Sequence, residues 1–136
     1  MKNLLLKKIG FKHGMRSILV STPSQTVKDL RDTDGSRRLI GSFDYIHVFV
    51  KDQDHLDAAF PRLKRHLKTG GMLWVSWPKN KQLDTDLTMT NVIRIGYNHG
   101  LVESKCISVN SIWSGIKFTL PIKGKSYNNS YGQLKH

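Results

Sequence analysis

The sequence predicts an α/β domain: a mostly parallel sheet of about six strands in three layers, ending in an antiparallel hairpin strand. Three observations carry this. Short apolar, β-branched or aromatic runs alternate with segments of helical periodicity along the chain. Residues 43–50 (FDYIHVFV) are almost continuously apolar, the pattern of a strand covered on both faces. The last two apolar runs, 101–109 and 112–120, are joined by only Asn110-Ser111, a connection short enough to demand antiparallel partners.

The elements follow in order. Leu4, Leu5, Leu6 and Ile9 have the spacing of a short amphipathic helix over 3–9, with Gly10 and Gly14 around the turn out of it. Residues 15–20 (MRSILV) read as a short buried strand stopped by Ser21-Thr22-Pro23-Ser24. A short helix is expected at 26–31, turn chemistry at 32–36, and a brief edge strand at 37–40 whose arginines discourage edge pairing. After the central strand, Leu56, Ala59, Phe60, Leu63 and Leu67 recur at helical spacing over 52–68, with Lys64, Arg65 and Lys68 towards the C-terminal end. Pro61 should kink this helix or begin its second half, and Gly70-Gly71 should end it. Residues 72–76 form another strand, halted at Trp77-Pro78-Lys79. Thr88 or Thr90 caps a helix reaching about His99, with Val92, Ile93 and Ile95 inward and Gly100 closing it. The hairpin comes last. Residues 1–122 then make a single domain, and 123–136, polar and poor in apolar residues, a flexible basic tail.

Composition removes several classes of function. The chain has 136 residues, 38% hydrophobic and 24% charged, a length that suits one domain. Its apolar runs are strand-length, short of the ~20 residues of a membrane-spanning helix. The leading run Leu4-Leu5-Leu6 breaks at Lys7, below the ~7–15 residues of a secretory core, so a cytoplasmic location is expected. Cys106 is the only cysteine, which rules out an internal disulfide and a cysteine zinc site; its apolar neighbours suggest a small buried hydrophobe. Lys and Arg number 22 against 10 acids, a formal +12 that favours polyanions. Two acid-free arms, 1–16 and 123–136, carry Lys7, Lys8, Lys12, Lys123 and Lys125, and the long helix carries Arg62, Lys64 and Arg65. These eight are candidates for weak, non-specific nucleic-acid binding. The plainer reading is a solvated surface, since no RNA-binding aromatic signature, helix-turn-helix or zinc-finger spacing accompanies them.

A parallel sheet gathers its ligand-facing loops beyond the carboxyl ends of its strands. Those loops hold Ser21 and Thr22, then Lys51-Asp52, then Ser76, Trp77, Pro78 and Lys79, with Trp113 and Ser114 arriving at the hairpin. Two indoles, hydroxyls and an ammonium brought together would stack on a flat ligand and bind an anion. Asp84 and Asp86 would complete the rim, or act as helix-start acids. The plainer reading has both tryptophans simply closing the sheet's end. The six histidines show no metal-ligand spacing, and His47, inside the central strand, reads as a satisfied core histidine.

The order of pieces, KKIGFKHGM, FDYIHVFV, LKTGGMLWVSWPK and HGLVESKCISVNSIWSGIKF, resembles the core of class I, Rossmann-like S-adenosylmethionine-dependent methyltransferases. In those proteins a Gly-Gly turn leads into the fifth strand and a final strand pair closes the sheet. The segments WVSWPK, the following DLT and WSGIKF are similar to those of a family of small bacterial proteins of unknown function. The resemblance spans roughly residues 5–120 and implies the fold. It implies a glycine-rich cofactor turn after the first strand and an acid after the second, holding the ribose hydroxyls. This chain has Ser21-Thr22-Pro23-Ser24-Gln25 at the first place and Leu39-Ile40-Gly41-Ser42 at the second. No nucleophile comes with an identifiable base, and no Walker or GxGxxG spacing is present.

The expectation is therefore a non-catalytic, methyltransferase-like module without a cofactor, binding a partner or small anionic ligand at the carboxyl edge. The alternatives are a small S-adenosylmethionine-dependent methyltransferase with an atypical cofactor loop, and a non-specific nucleic-acid binder. No membrane partner is expected.

Overall fold

The computed structural model describes residues 4–23, 28–33 and 35–125. Five strands form one sheet: β1 (Ser17–Val20), β2 (Phe43–Phe49), β3 (Leu67–Pro78), β4 (Val102–Ser108) and β5 (Trp113–Thr119), in the order β1-β2-β3-β5-β4. β1, β2 and β3 pair in parallel, while β5 runs antiparallel to both β3 and β4. β5 is thus the one reversed strand, inserted between β3 and the outer strand β4.

Helices cover both faces. On one, α2 (Gln53–Lys64) and α3 (Met89–Asn98) lay Leu56, Phe60, Leu63, Val92 and Ile93 on Ile46, Val48, Leu73, Val75, Trp77, Ile116 and Phe118. On the other, α1 (Leu4–Ile9) and a 3₁₀ helix (Lys28–Thr33) bring Leu6, Ile9 and Leu30 against Tyr45, Phe49, Trp74 and Trp113. Strand alternation explains the division: consecutive residues of β2 and β3 point to opposite faces, and both faces are apolar. The three layers are those expected.

Several boundaries differ for identifiable reasons. The expected strand at 37–40 is absent, and only Ser36 bridges Ile18 in parallel. The chain turns on itself there: Arg38 N donates to Ser36 Oγ at 3.2 Å and Ile40 N to Arg38 O at 3.0 Å, which uses donors a strand needs. Among the described residues the sheet therefore has five strands, where about six were expected. The helix expected to reach 68 ends at Lys64, because Leu67 already pairs with Phe43, and Gly70-Gly71 lie inside β3 in an irregularity between the Phe43 and Tyr45 pairs. Pro61 sits within the last turn of α2, which continues past it. β3 runs on through Trp77 and Pro78, which pair with Ser114 and Trp113. Of the expected helix at 26–31, residues 26 and 27 lie outside the described part and 28–31 belong to the 3₁₀ helix; the expected tail beyond Lys125 also lies outside it. Cys106, expected to be buried, is exposed, because β4 is the outer strand and its middle faces solvent.

Thr88 is the N-cap of α3: its hydroxyl accepts from Asn91 N while the Asn91 side chain accepts from Thr88 N, a reciprocal capping box. No helix among the described residues is long and apolar enough to cross a membrane.

Candidate site at the carboxyl edge of the sheet

β1, β2 and β3 end on one edge, where the β4–β5 turn joins them through Lys79 N donating to Ile112 O at 2.7 Å. The backbone at this edge is unusual. Ser21, directly after β1, has φ of 58°, and Asn80, Lys81, Leu83 and Asp84 have φ between 50° and 60°. Each such non-glycine residue costs ~1–2 kcal/mol, so the 79–84 strap is held by its attachments. Lys79 Nζ donates to Ser108 Oγ, Gln82 Nε2 to Ser111 O at 3.2 Å, and Thr85 Oγ1 to Lys51 O.

The strap separates two clefts. One, of about 400 Å³, is lined by Trp77, Lys79, Lys81, Thr88, Met89 and Ser114 among others. The other, of about 340 Å³, lies between the ends of β1 and β2 and is lined by Ser21, Phe49, Val50, Asp52, Leu83 and Trp113 among others. Trp77, Lys79 and Ser114 thus share a cleft, as the sequence suggested. Trp113 and Ser21 belong to the second cleft, so the two indoles do not meet. Trp77 pairs with Ser114 and Pro78 with Trp113, which sends the two rings to opposite faces. Both are only 4% exposed, and Trp113 stands edge-on to Phe49 at 5.2 Å, so they close the sheet's end and offer no open stacking face.

Ser76 lines neither cleft. It is wholly buried, with Oγ 2.7 Å from His47 Nε2, and His47 Nδ1 lies 2.6 Å from the Tyr45 hydroxyl. His47 is the satisfied core histidine the sequence suggested; burial lowers its pKa to about 3, so it is neutral. The same burial pushes the Tyr45 phenol above its usual range. Asp86 also faces elsewhere: its carboxylate accepts from Gln53 N at 2.8 Å and so serves the first turn of α2. Asp52 N-caps that helix, accepting from His55 N at 2.7 Å. Thr22, between two residues that line the second cleft, holds its Oγ1 buried and without a hydrogen-bond partner.

The basic candidates divide as well. Lys7 and Lys8 lie exposed on α1, and Lys12 just beyond it, on one side of the sheet. Arg62 and Arg65 lie exposed at the end of α2 on the other side, where Lys64 is half-buried and donates to His99 O at 2.7 Å. Lys123 and Lys125 stand at the end of the described chain. Sequence reasoning missed Lys81, Thr88 and Met89 in the first cleft and Phe49, His55 and Leu83 in the second. Lys81 was legible from its place beside Lys79; the others reach the edge only through the strap and the helix starts.

No protein-family model matches the chain, and no curated protein matches it. Solved structures do. The chain is similar to a methyltransferase from Pyrococcus furiosus, at 12% identity over 88% of this chain and 81% of that one, with a TM-score of 0.57. It is similar to the same degree, TM-score 0.57, to a TehB-like SAM-dependent methyltransferase from Corynebacterium glutamicum, at 10% identity over 88% and 86%. The fold is methyltransferase-like and Rossmann-like. The chain spans 65% of a ribosomal protein L11 methylase from Lactobacillus delbrueckii subsp. bulgaricus, at 13% identity and a TM-score of 0.49.

The residues at the edge can be weighed against S-adenosylmethionine. Ser21 adopts after β1 the left-handed backbone that glycine takes most readily, but it carries a Cβ, and Pro23, two residues on, has no N–H to offer. Where a second strand would present an acid to the ribose hydroxyls, the chain has Ser36 followed by Arg37 and Arg38. These residues do not fit that cofactor in the usual manner.

Proposed function

We propose that the protein is a methyltransferase-fold module that binds a small anionic ligand at the carboxyl edge and does not turn it over. The observation that carries this reading is one cleft of about 400 Å³ lined by Lys79, Lys81, Ser114 and Thr88, with no acid in its lining. Two ammonium groups in a concave site favour an anion, and the exposed Met89 and the edge of Trp77 supply apolar contact. Calorimetric titration with citrate and with S-adenosylmethionine tests it. Citrate binding weakened about tenfold by Lys79→Ala with Lys81→Ala is expected, and absence of any anion binding refutes the reading.

The rival is an S-adenosylmethionine-dependent methyltransferase with an atypical cofactor loop. Its support is the likeness of fold and the conformation of Ser21 beside the second cleft. Micromolar S-adenosylmethionine binding that is unaffected by the two lysine variants favours the rival. A separate reading, weak attraction for RNA or DNA, is supported by Lys7, Lys8 and Lys12 standing together on the α1 side.

A further inference from the structure

β4 and β5 pair so that Lys105 lies directly opposite Lys117, and Lys117 in turn lies opposite Trp74 of β3. Partners in a ladder point to the same face of the sheet. Trp74 belongs to the cluster under α1, so both lysines stand on the α1 face. Like charges directly opposite one another weaken a sheet. Lys105 has a structural reason for its place: its Nζ donates to Lys8 O at 2.8 Å, a last-turn carbonyl of α1, where a cation suits the helix dipole. Lys117 has none. It is half-buried, and among the described residues no hydrogen bond or ion pair holds its ammonium.

The Lys105 contact brings the end of α1, with the exposed Lys7 and Lys8, alongside the pair. α1, β3, β4 and β5 contain one acid, Glu103, and it faces away: it pairs with Phe118 of the opposite cluster, and its Oε1 accepts from the Tyr97 hydroxyl of α3 at 3.0 Å. No carboxylate of these elements therefore answers the lysines, and such a set of point charges suits a row of phosphates. We propose that this face, with Lys7, Lys8, Lys105 and Lys117, docks the phosphate backbone of a nucleic-acid duplex. The proposal rests on the reading of attraction for RNA or DNA and gives it a surface, in which two residues of the outer strands join the α1 lysines. A single strand is held by bases stacked on aromatic rings. Tyr45 and Trp74 on this face are wholly buried, so the duplex is the partner that fits. Phosphate contacts of this kind carry no sequence information.

Fluorescence anisotropy of a labelled DNA duplex, read against salt with the full chain, tests the proposal. Lys117→Gln and Lys8→Gln should each weaken binding at low salt and flatten the log–log slope by about 0.9, and Lys117→Arg should restore it. Arg62→Gln with Arg65→Gln, on the opposite face, should change neither. Lys117→Gln should also raise the melting temperature at low salt, because it removes a repulsion. A lowered melting temperature together with lost binding would make Lys117 a structural residue and overturn the proposal. Binding with a slope unchanged in both lysine variants overturns this surface and leaves the broader polyanion reading standing. No binding by the intact chain at low salt refutes both. Equal affinity for poly-glutamate or for phosphatidylserine vesicles, lost in the same variants, makes this a surface for any anion and overturns the duplex.

Discussion

His47 on β2 and Ser76 on β3 hold each other through Nε2 and Oγ at 2.7 Å, with neither residue reached by solvent. The pair ties the two central strands by a polar contact inside an aromatic layer, where His47 also stacks on Phe49 at 4.7 Å between centroids. Buried and neutral, the imidazole can be charged only if this layer opens.

Acid should therefore destabilise the fold through His47. Burial lowers its pKa to about 3 from the ordinary 6.5, so between these values the unfolded chain binds a proton that the native state refuses. This contribution is fully present above pH 6.5 and is lost as the pH falls towards 3, at a slope of up to about 1.4 kcal/mol per pH unit. Urea midpoints at pH 7, 6, 5 and 4 should show the slope reduced in His47→Gln, and an unchanged slope would contradict the assignment.

Gly96 lies inside α3 against Phe118, and a Cβ there would come within 2.2 Å of Cε1 of that ring. Alanine gains about 1 kcal/mol of helix propensity over glycine. Overpacking a filled core costs ~1–3 kcal/mol and sometimes more. Phe118 is wholly buried and has little room to move, so Gly96→Ala should lower the melting temperature. A raised melting temperature would show that the helix has shifted instead.

Trp77→Ala and Trp113→Ala should each cost about 3–5 kcal/mol, the range for large core aromatics, because both rings are 4% exposed. Chemical denaturation measures this. A loss under 1 kcal/mol for either would mean that its ring is a surface group and available to a ligand. The lysine and arginine variants, on exposed or half-buried side chains, leave the core intact and are the proper tests of binding.

The polyanion reading predicts weak, non-specific binding at low salt. Neutralising Lys7, Lys8 and Lys12 should flatten the log–log salt dependence for duplex DNA by up to about 0.9 per lost phosphate contact. Arg62 and Arg65, on the far side of the sheet, should matter less. Fluorescence anisotropy with a labelled duplex reads the slope, and no binding at low salt leaves the charge as a solubility feature.

The α/β class, the covered central strand, the long helix under Leu56, Phe60 and Leu63, the Thr88 cap and the closing hairpin were all legible in the sequence. Each rests on periodicity or on a local hydrogen-bonding preference, and neighbouring residues carry both. The carboxyl edge followed from parallel order alone. The sequence did not reveal that Trp77 and Trp113 face opposite ways, since that depends on the register of β3 with β5. Nor could it show Cys106 exposed, because β4 becomes the outer strand only once β5 has been inserted beside β3. The strap that divides the edge is set by contacts from Lys79 to Ile112 and from Thr85 to Lys51, between residues far apart in the chain. Local sequence determined the elements, and long-range pairing decided which side chains share a cleft.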